Sequence, residues 1–202
     1  MRKDVLNWKK AQVEGMKTIL VMSVKGGVGK STIADELAFS FERSGIPCSF
    51  YDLDGKGGTI HGTVEVDGAE VAVVDCPGEL DDELPAMLAE ADLVVIPTRP
   101  TGRDMDPLLM TRERVLRSYK GPVLYVVNGW NRFNQSRDFL DWFHTEVDRY
   151  APLVSVAQSE VFGQAWARDS SVVAYAPSSR AAGDVLRLVN LVRRTCGFSE
   201  EC

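Results

Sequence analysis

The stretch Lys25-Gly26-Gly27-Val28-Gly29-Lys30-Ser31-Thr32 decides the expected fold of this chain. It follows the apolar run 18–24, which predicts a strand, and precedes residues 33–39, whose apolar positions recur at helical spacing. Glycines let successive backbone N–H groups turn towards an anion, and a helix that begins near Ser31 adds the positive end of its dipole. Strand, glycine loop and helix in this order predict a phosphate-binding loop.

The side chains of this loop also suit a nucleotide with a divalent cation. Lys30 is expected to reach the β- and γ-phosphates, and the Ser31 hydroxyl is expected to bind Mg²⁺. The residues predicted to contact the nucleotide are Gly26, Gly27, Val28, Gly29, Lys30, Ser31 and Thr32. The alternative is a glycine-rich turn without a ligand.

Length and composition limit the classes of protein to consider. The 202 residues are 45% apolar, which suffices for the core of one domain, and the net charge of −6 argues against a surface that is basic throughout. No apolar run approaches a membrane span, and residues 1–10 lack the apolar core of a signal peptide. The four cysteines form no C-x-x-C pair, which disfavours zinc and iron–sulfur sites. We expect a reduced, cytoplasmic protein.

Short apolar runs alternate with helical patterns along the chain, which predicts an α/β fold: a mostly parallel sheet with helices on both faces. The predicted strands are residues 18–24, 49–52, 71–75, 93–97, 123–128, 154–157 and 172–175. The predicted helices are residues 31–44, 82–91, 106–118, 136–150, 159–169 and 179–195. In such sheets ligands bind at the carboxyl ends of the strands.

Aspartates end two of the predicted strands. The second ends in Asp52-Leu53-Asp54, and the third ends at Asp75, followed by Pro77 and Gly78. A carboxylate at the end of a buried strand needs a cation or water to offset its desolvation, so Asp75 is predicted to orient Mg²⁺. In phosphate-loop proteins a glycine after this aspartate presents its backbone N–H to the γ-phosphate, and Gly78 resembles it, which implies the same role. The alternative is that Asp75 caps a turn.

The glycine loop departs from the pattern G-x-x-x-x-G-K-[ST], because Val24 stands where the first glycine is expected and Lys25 follows it. This form resembles the deviant phosphate loop of the ParA/MinD family of P-loop ATPases. The resemblance implies a SIMIBI-like three-layer sandwich that binds ATP and Mg²⁺. It also implies that Lys25 crosses to the phosphates of a second subunit, and therefore a homodimer in the ATP state.

The pair Asp52 and Asp54 resembles the D-x-D of ParA-like proteins, in which the second aspartate positions the attacking water. The resemblance implies catalytic roles for Lys25, Lys30 and Asp54, with Ser31, Asp52 and Asp75 at the metal. The alternative for Asp52 and Asp54 is a structural turn. Family members often continue with Pro-Gln, whereas this chain has Gly55-Lys56, so the behaviour of this loop is left open.

Two later positions resemble the adenine site of the family. Asn128 ends the fifth predicted strand, and Pro177 precedes the last predicted helix. The resemblance implies that both lie beside the base, although Asn128 could equally be an ordinary turn residue. The guanine signature N-K-x-D does not follow Asn128, which favours ATP over GTP.

The resemblance extends over residues 18–194, and the short interval 55–74 between the two aspartate clusters suits the small ParA subclass. That subclass includes partition and cargo-positioning ATPases. We expect an ATPase domain over residues 17–202, preceded by a helical extension over residues 1–16. Hydrolysis is expected to be slow and stimulated by a ParB-like or other adaptor protein.

The resemblance to ParA-type proteins implies binding to DNA without sequence preference in the ATP-bound dimer, through contacts from Lys and Arg to phosphate. The last predicted helix carries Arg180, Arg187, Arg193 and Arg194. They predict either a DNA surface or a solvated helix face. If the first holds, the protein is nucleoid-associated when ATP-bound; no membrane contact is expected.

Other functions on the same fold stay open. One is a metabolic ATP-dependent ligase similar to dethiobiotin synthetase, and another is a MinD-like positioning regulator on membranes. The chain shows no motif for an acceptor pocket, and no tyrosine cluster that would mark a bacterial tyrosine kinase. Lys25 and the short chain favour the partition or positioning role.

Overall fold

The computed structural model describes residues 15–55, 57–79 and 82–201. Most of the predicted helical extension 1–16 therefore lies outside the described residues, as do Lys56 and Cys202. The division of the chain into an extension and an ATPase domain stays a prediction.

Six strands form one sheet in the order β2-β3-β1-β4-β5-β6, and every pairing between neighbouring strands is parallel. Their bounds are β1 Lys17–Val21, β2 Cys48–Asp52, β3 Val71–Asp75, β4 Leu93–Thr98, β5 Val123–Trp130 and β6 Leu153–Ala157. The strand order reverses beside β1, which lies between β3 and β4. Ligand sites of open α/β sheets form at such a switch point, so the loop after β1 is well placed for one.

Seven helices are found among the described residues. Their bounds are α1 Lys30–Arg43, α2 Leu84–Leu88, α3 Gly102–Ser118, α4 Asn134–Trp142, α5 Val161–Trp166, α6 Val172–Tyr175 and α7 Arg180–Cys196. The predicted helix 136–150 ends earlier than expected, because α4 continues directly as a π-helical turn over Phe143–Val147 and the backbone is extended at Asp148. No described helix combines the length and apolar character needed to cross a membrane.

Helices cover both faces of the sheet, which confirms the predicted three-layer architecture. Alternate residues of β1 point to opposite sides, so Ile19 packs in the layer of α1 and α7, and Leu20 in the layer of α2, α3 and α4. Both side chains are fully buried. Apolar residues on both faces explain why these strands read as continuous apolar runs.

The prediction of a seventh strand over residues 172–175 is wrong, because this segment is the short helix α6. The Ser171 hydroxyl accepts a 3.1 Å hydrogen bond from the Ala174 N–H and so caps the helix. The Val172 N–H donates to the Glu36 carboxylate at 2.7 Å. These two amides are therefore not available to a strand ladder, although β-branched residues favour one locally.

Candidate nucleotide site

The phosphate-binding loop leads directly into α1, which begins at Lys30. The residue before it, Gly29, has φ +94°, a left-handed conformation that favours glycine. Within the described part of the chain, no side chain caps this end of α1, and its first turn carries no acidic residue. The positive end of the helix is therefore suited to an anionic ligand.

Lys30 and Asp54 meet at the carboxyl edge of the sheet. The Lys30 side chain is only 7% exposed, and its Nζ lies 3.8 Å from Asp54 Oδ2. A buried ammonium group needs a negative partner. The structure therefore places the residue expected to bind the γ-phosphate beside the residue expected to orient the attacking water.

Ser31 and Asp75 form the oxygen-rich part of the site. The Ser31 hydroxyl donates a 2.6 Å hydrogen bond to Asp75 Oδ2, while the fully buried Asp75 Oδ1 has no hydrogen-bond partner among the described residues. Burial raises the pKa of Asp75 to about 7, against the opposing effects of the Ser31 hydrogen bond and the Lys30 charge. An orphaned carboxylate oxygen beside a hydroxyl fits Mg²⁺, which prefers oxygen ligands.

Asp52 pairs with Asp75 in the register of β2 and β3. Its Oδ1 accepts a 2.9 Å hydrogen bond from the Gly55 N–H, and its Oδ2 accepts one of 2.9 Å from the Thr59 hydroxyl. The Asp52 carboxylate thus organises the loop after β2, and its role as a metal ligand stays a prediction. This loop approaches the phosphate loop, since a Cβ built on Gly58 would lie 3.0 Å from Ser31 Oγ.

Lys25 and Gly78 lie at the entrance of the phosphate loop. Lys25 is partly exposed, and its backbone N–H donates to the Ser23 hydroxyl at 3.3 Å. A Cβ built on Gly78 would lie 3.3 Å from the Val24 carbonyl oxygen, so the chain after β3 passes close to the start of the loop. The predicted roles of Lys25 towards a partner and of Gly78 towards the γ-phosphate are compatible with these places.

Asn128 contacts the phosphate loop directly. Its Nδ2 donates a 3.0 Å hydrogen bond to the Val28 carbonyl oxygen. Pro177 is exposed in the turn between α6 and α7. The predicted contacts of both residues with adenine stay predictions, and the support that Asn128 gives to the loop was not foreseen from the sequence.

Sequence reasoning also missed a contact between Asp35 and His61. The His61 Nδ1 lies 2.7 Å from Asp35 Oδ1. The sequence offers one weak signal, which is that Asp35 and Glu36 stand next to each other in an otherwise apolar part of α1. Both are buried in the structure.

The predicted basic face of the last helix is smaller than its sequence suggests. Arg193 is 1% exposed, because its guanidinium donates to the Ser44 hydroxyl at 2.6 Å and to the Ser199 carbonyl oxygen at 2.6 Å. The prediction that Arg193 belongs to a surface patch is therefore wrong. The three exposed arginines of the helix are paired with carboxylates: Arg180 and Arg187 with Asp184, and Arg194 with Glu200.

Comparisons with known protein sequences match the first half of the chain. The family model described as "ParA: NUBPL iron-transfer P-loop NTPase" matches residues 14–93, which contain β1 to β3 and the phosphate loop. The words "iron-transfer" in that description refer to NUBPL and not to this chain. Protein ParA of Rhizobium radiobacter is 30% identical over 115 aligned residues, which cover 44% of this chain. The match spans 51% of that relative's length.

Solved structures extend the likeness to the whole fold. The ATP complex of McdA from Cyanothece is 15% identical with a TM-score of 0.74, covering 94% of this chain and 100% of that one. MinD of Pyrococcus horikoshii with Mg-ADP is 16% identical with a TM-score of 0.69, covering 90% and 98%. At such low identity these neighbours establish the fold alone. The similarity to ParA proteins rests on the phosphate loop and on the sequence matches. The chain therefore has the fold of the ParA/MinD type of P-loop ATPases, and over residues 14–93 its sequence is similar to that of the ParA family.

Proposed function

We propose that this chain hydrolyses ATP and uses its nucleotide state to switch between a monomer and a homodimer. The switch would serve the partition of DNA or the positioning of another intracellular cargo. One observation carries the proposal: Lys30, Ser31, Asp54 and Asp75 converge at the start of α1, with Lys30 beside Asp54 and Ser31 bonded to Asp75. This set holds the groups that phosphoryl transfer to water requires.

Each residue has a separate task in the proposed reaction. The backbone N–H groups from Gly26 to Thr32 bind the phosphates, and Lys30 neutralises their charge. Ser31 and Asp75 would hold Mg²⁺, which would supply positive charge to offset that of the phosphates. Asp54 accepts a hydrogen bond from the attacking water and orients it. Since phosphoryl transfer depends mostly on positioning and charge neutralisation, a carboxylate suffices for this role.

Lys25 supplies the proposed link to dimerisation. It lies at the entrance of the phosphate loop and is partly exposed, so its side chain is available to a second subunit. In the proposed dimer each Lys25 contacts the phosphates of the other subunit. Binding of ATP would then favour the dimer, because the dimer has a contact to the phosphates that the monomer lacks. Hydrolysis of ATP would weaken this contact and so the dimer.

The proposed partners are DNA without sequence preference and a ParB-like or other adaptor that stimulates a slow basal hydrolysis. On this proposal the protein is cytoplasmic, makes no membrane contact and associates with the nucleoid when it carries ATP. The ion pairs on α7 favour a second candidate, in which the cargo is not DNA. The carboxylates of Asp184 and Glu200 offset the exposed arginines, and fewer free cations mean weaker binding to DNA phosphate.

The test measures ATP hydrolysis, mass in solution and binding to non-specific duplex DNA with ADP and with ATP across a salt series. The variant Asp54→Ala is compared with Asp138→Ala, which removes an exposed aspartate on α4. We expect wild-type and Asp138→Ala protein to hydrolyse ATP and to dimerise only with ATP. Asp54→Ala should keep the dimer and lose hydrolysis.

The DNA measurement separates the two candidates. Salt-sensitive DNA binding that needs ATP, and that Asp54→Ala prolongs, supports DNA as the carrier. A dimer that responds to ATP but ignores DNA supports another cargo. Failure to hydrolyse ATP with and without candidate adaptors, together with an unchanged mass, contradicts the whole proposal.

A further inference from the structure

The loop after β2 carries Asp54 and is tied to α1 at its far end. We call residues 53–55 and 57–63 the Asp54 loop. The Asp35 carboxylate on α1 accepts hydrogen bonds from the Ile60 N–H at 2.9 Å and from the His61 N–H at 3.2 Å. The same carboxylate lies 2.7 Å from His61 Nδ1. One buried side chain, 3% exposed, therefore holds two backbone groups and one ring of the loop.

The His61 ring lies among two aromatic rings and two carboxylates. It lies between Phe39, with ring centroids 4.3 Å apart, and Phe50, with centroids 5.1 Å apart. Its Nε2 is 3.3 Å from Glu42 Oε1, and its side chain is 8% exposed. Burial acts to lower the pKa of His61, but Asp35 and then Glu42 outweigh this effect, so that its pKa lies above the ordinary value.

The other end of the Asp54 loop is also held. Asp52 accepts hydrogen bonds from Gly55 and Thr59, and beyond His61 the chain returns to β2 through a bridge between Phe50 and Val64. Asp54 thus lies between two anchors. Without these anchors the Asp54 loop would have much conformational freedom, because it contains four glycines: Gly55, Gly57, Gly58 and Gly62.

We propose that Asp35 and His61 are positioning residues for hydrolysis, which hold the Asp54 loop against the helix that carries Lys30. The inference rests on the proposed function. Because Asp35 and Lys30 belong to the same helix, the contact fixes Asp54 relative to the phosphate loop before the nucleotide binds. Such preorganisation raises the rate of the chemical step, since a displacement of about 1 Å can lower a rate about 100-fold.

The contact stands apart from the groups that bind the nucleotide. The hydrogen bond between Ser31 and Asp75 and the backbone of the phosphate loop do not involve Asp35 or His61. Loss of the contact should therefore lower kcat and leave nucleotide affinity nearly unchanged. A residue that only stabilised the fold would lower both together.

The test uses two nearly isosteric variants and their combination. Asp35→Asn keeps an oxygen that accepts from the loop N–H groups but removes the charge opposite His61. His61→Phe keeps a ring between Phe39 and Phe50 but removes Nδ1. His144→Phe is the matched control, because His144 is the other histidine and is exposed beside α4. For each protein we would measure kcat and KM for ATP, the Kd for ADP and hydrogen exchange of peptides covering residues 53–63.

We expect each single variant to lose about 10- to 100-fold in kcat, with KM and the Kd for ADP unchanged within about 3-fold. The double variant should match the worse single variant, because both changes break one contact. Exchange should rise within residues 53–63 in the three variants and stay at the wild-type level in His144→Phe.

Three outcomes overturn the inference. The first is faster exchange in the loop with unchanged kcat, the second is a fall in kcat accompanied by an equal loss of ADP affinity, and the third is unchanged exchange in both single variants. If wild-type protein does not hydrolyse ATP, the proposed function fails, and the exchange experiment still decides whether the contact holds the loop. Unchanged exchange in both single variants would show that it does not.

Discussion

Asn128 at the end of β5 donates a 3.0 Å hydrogen bond to the carbonyl oxygen of Val28 in the phosphate loop. The contact is close, since a Cβ built on the neighbouring Gly29 would lie 2.1 Å from Asn128 Nδ2. Strand β5 therefore supports the loop from the side opposite β3. It holds the backbone at the point where Gly29 takes its left-handed conformation.

Replacing Asn128 with alanine should weaken the binding of both ADP and ATP by about 5-fold. The reason is that one hydrogen bond supporting the loop contributes about 1 kcal/mol. Calorimetric titration with each nucleotide measures this, with Asn134→Ala on the exposed face of α4 as the control. If ADP affinity stays at the wild-type level while discrimination against GTP is lost, Asn128 acts on the base and not on the loop.

Replacing Ser31 with alanine should remove the dependence of nucleotide binding on Mg²⁺. Ser31 and Asp75 are the paired oxygen groups beside the phosphate loop, and Mg²⁺ requires a nearly complete octahedron of oxygen ligands. We expect ADP affinity to fall about 10-fold or more in Mg²⁺ and to match the wild type in EDTA. Ser178→Ala, in the exposed turn before α7, serves as the control. An equal loss in EDTA would contradict the assignment.

Replacing Glu36 with glutamine should stabilise the protein at neutral and alkaline pH. Burial raises the pKa of Glu36 from 4.5 to about 7, although its hydrogen bond from Val172 opposes this. Between these values the folded chain keeps a proton that the unfolded chain releases, so wild-type stability falls as the pH rises from about 4.5 to about 7. Glutamine keeps an oxygen for the Val172 N–H and carries no charge.

The measurement is urea unfolding of both proteins from pH 4 to pH 8. Above pH 7 the variant should be more stable by about 1–3 kcal/mol, and below about pH 4.5 the difference should vanish. Glu90→Gln, on the exposed end of the segment after α2, controls for the loss of one charge. A difference between Glu36→Gln and the wild type that does not change with pH would refute the explanation.

Replacing Arg193 with methionine should destabilise the fold by about 3 kcal/mol, because the hydrogen bonds from its buried guanidinium to the Ser44 hydroxyl, to the Ser199 carbonyl oxygen and to the fully buried Ser40 would be lost. Arg187→Ala, at an exposed position, should change stability by less than about 1 kcal/mol. Thermal and urea unfolding check both values. Equal and small losses would mean that Arg193 is exposed after all.

The same pair of variants tests the origin of any DNA binding. If α7 contacts DNA, Arg187→Ala should reduce the dependence of affinity on salt. Arg193→Met should leave that dependence unchanged in the fraction that folds, since Arg193 lies inside the protein. The opposite result would place Arg193 at the DNA.

Local sequence patterns were enough to predict the six strands of the sheet and the phosphate loop. Apolar runs such as that of β3 specify strands buried on two faces, and glycines followed by Lys30 and Ser31 specify a loop that leads into a helix. The aspartates at the strand ends followed from the same reasoning, since parallel strands bring their carboxyl ends to one edge of the sheet.

Contacts between residues far apart in the chain could not be predicted from local patterns. Residues 172–175 favour a strand locally, but the hydrogen bond from Val172 to Glu36 on a different helix helps to hold them as α6. The sequence places Arg193 on a helix surface, but in the fold it is buried and donates to Ser44 and Ser199. His61 likewise finds its partner Asp35 only when the chain folds. These contacts join residues far apart in the chain, and burial strengthens them by removing competing water, so no local pattern encodes them.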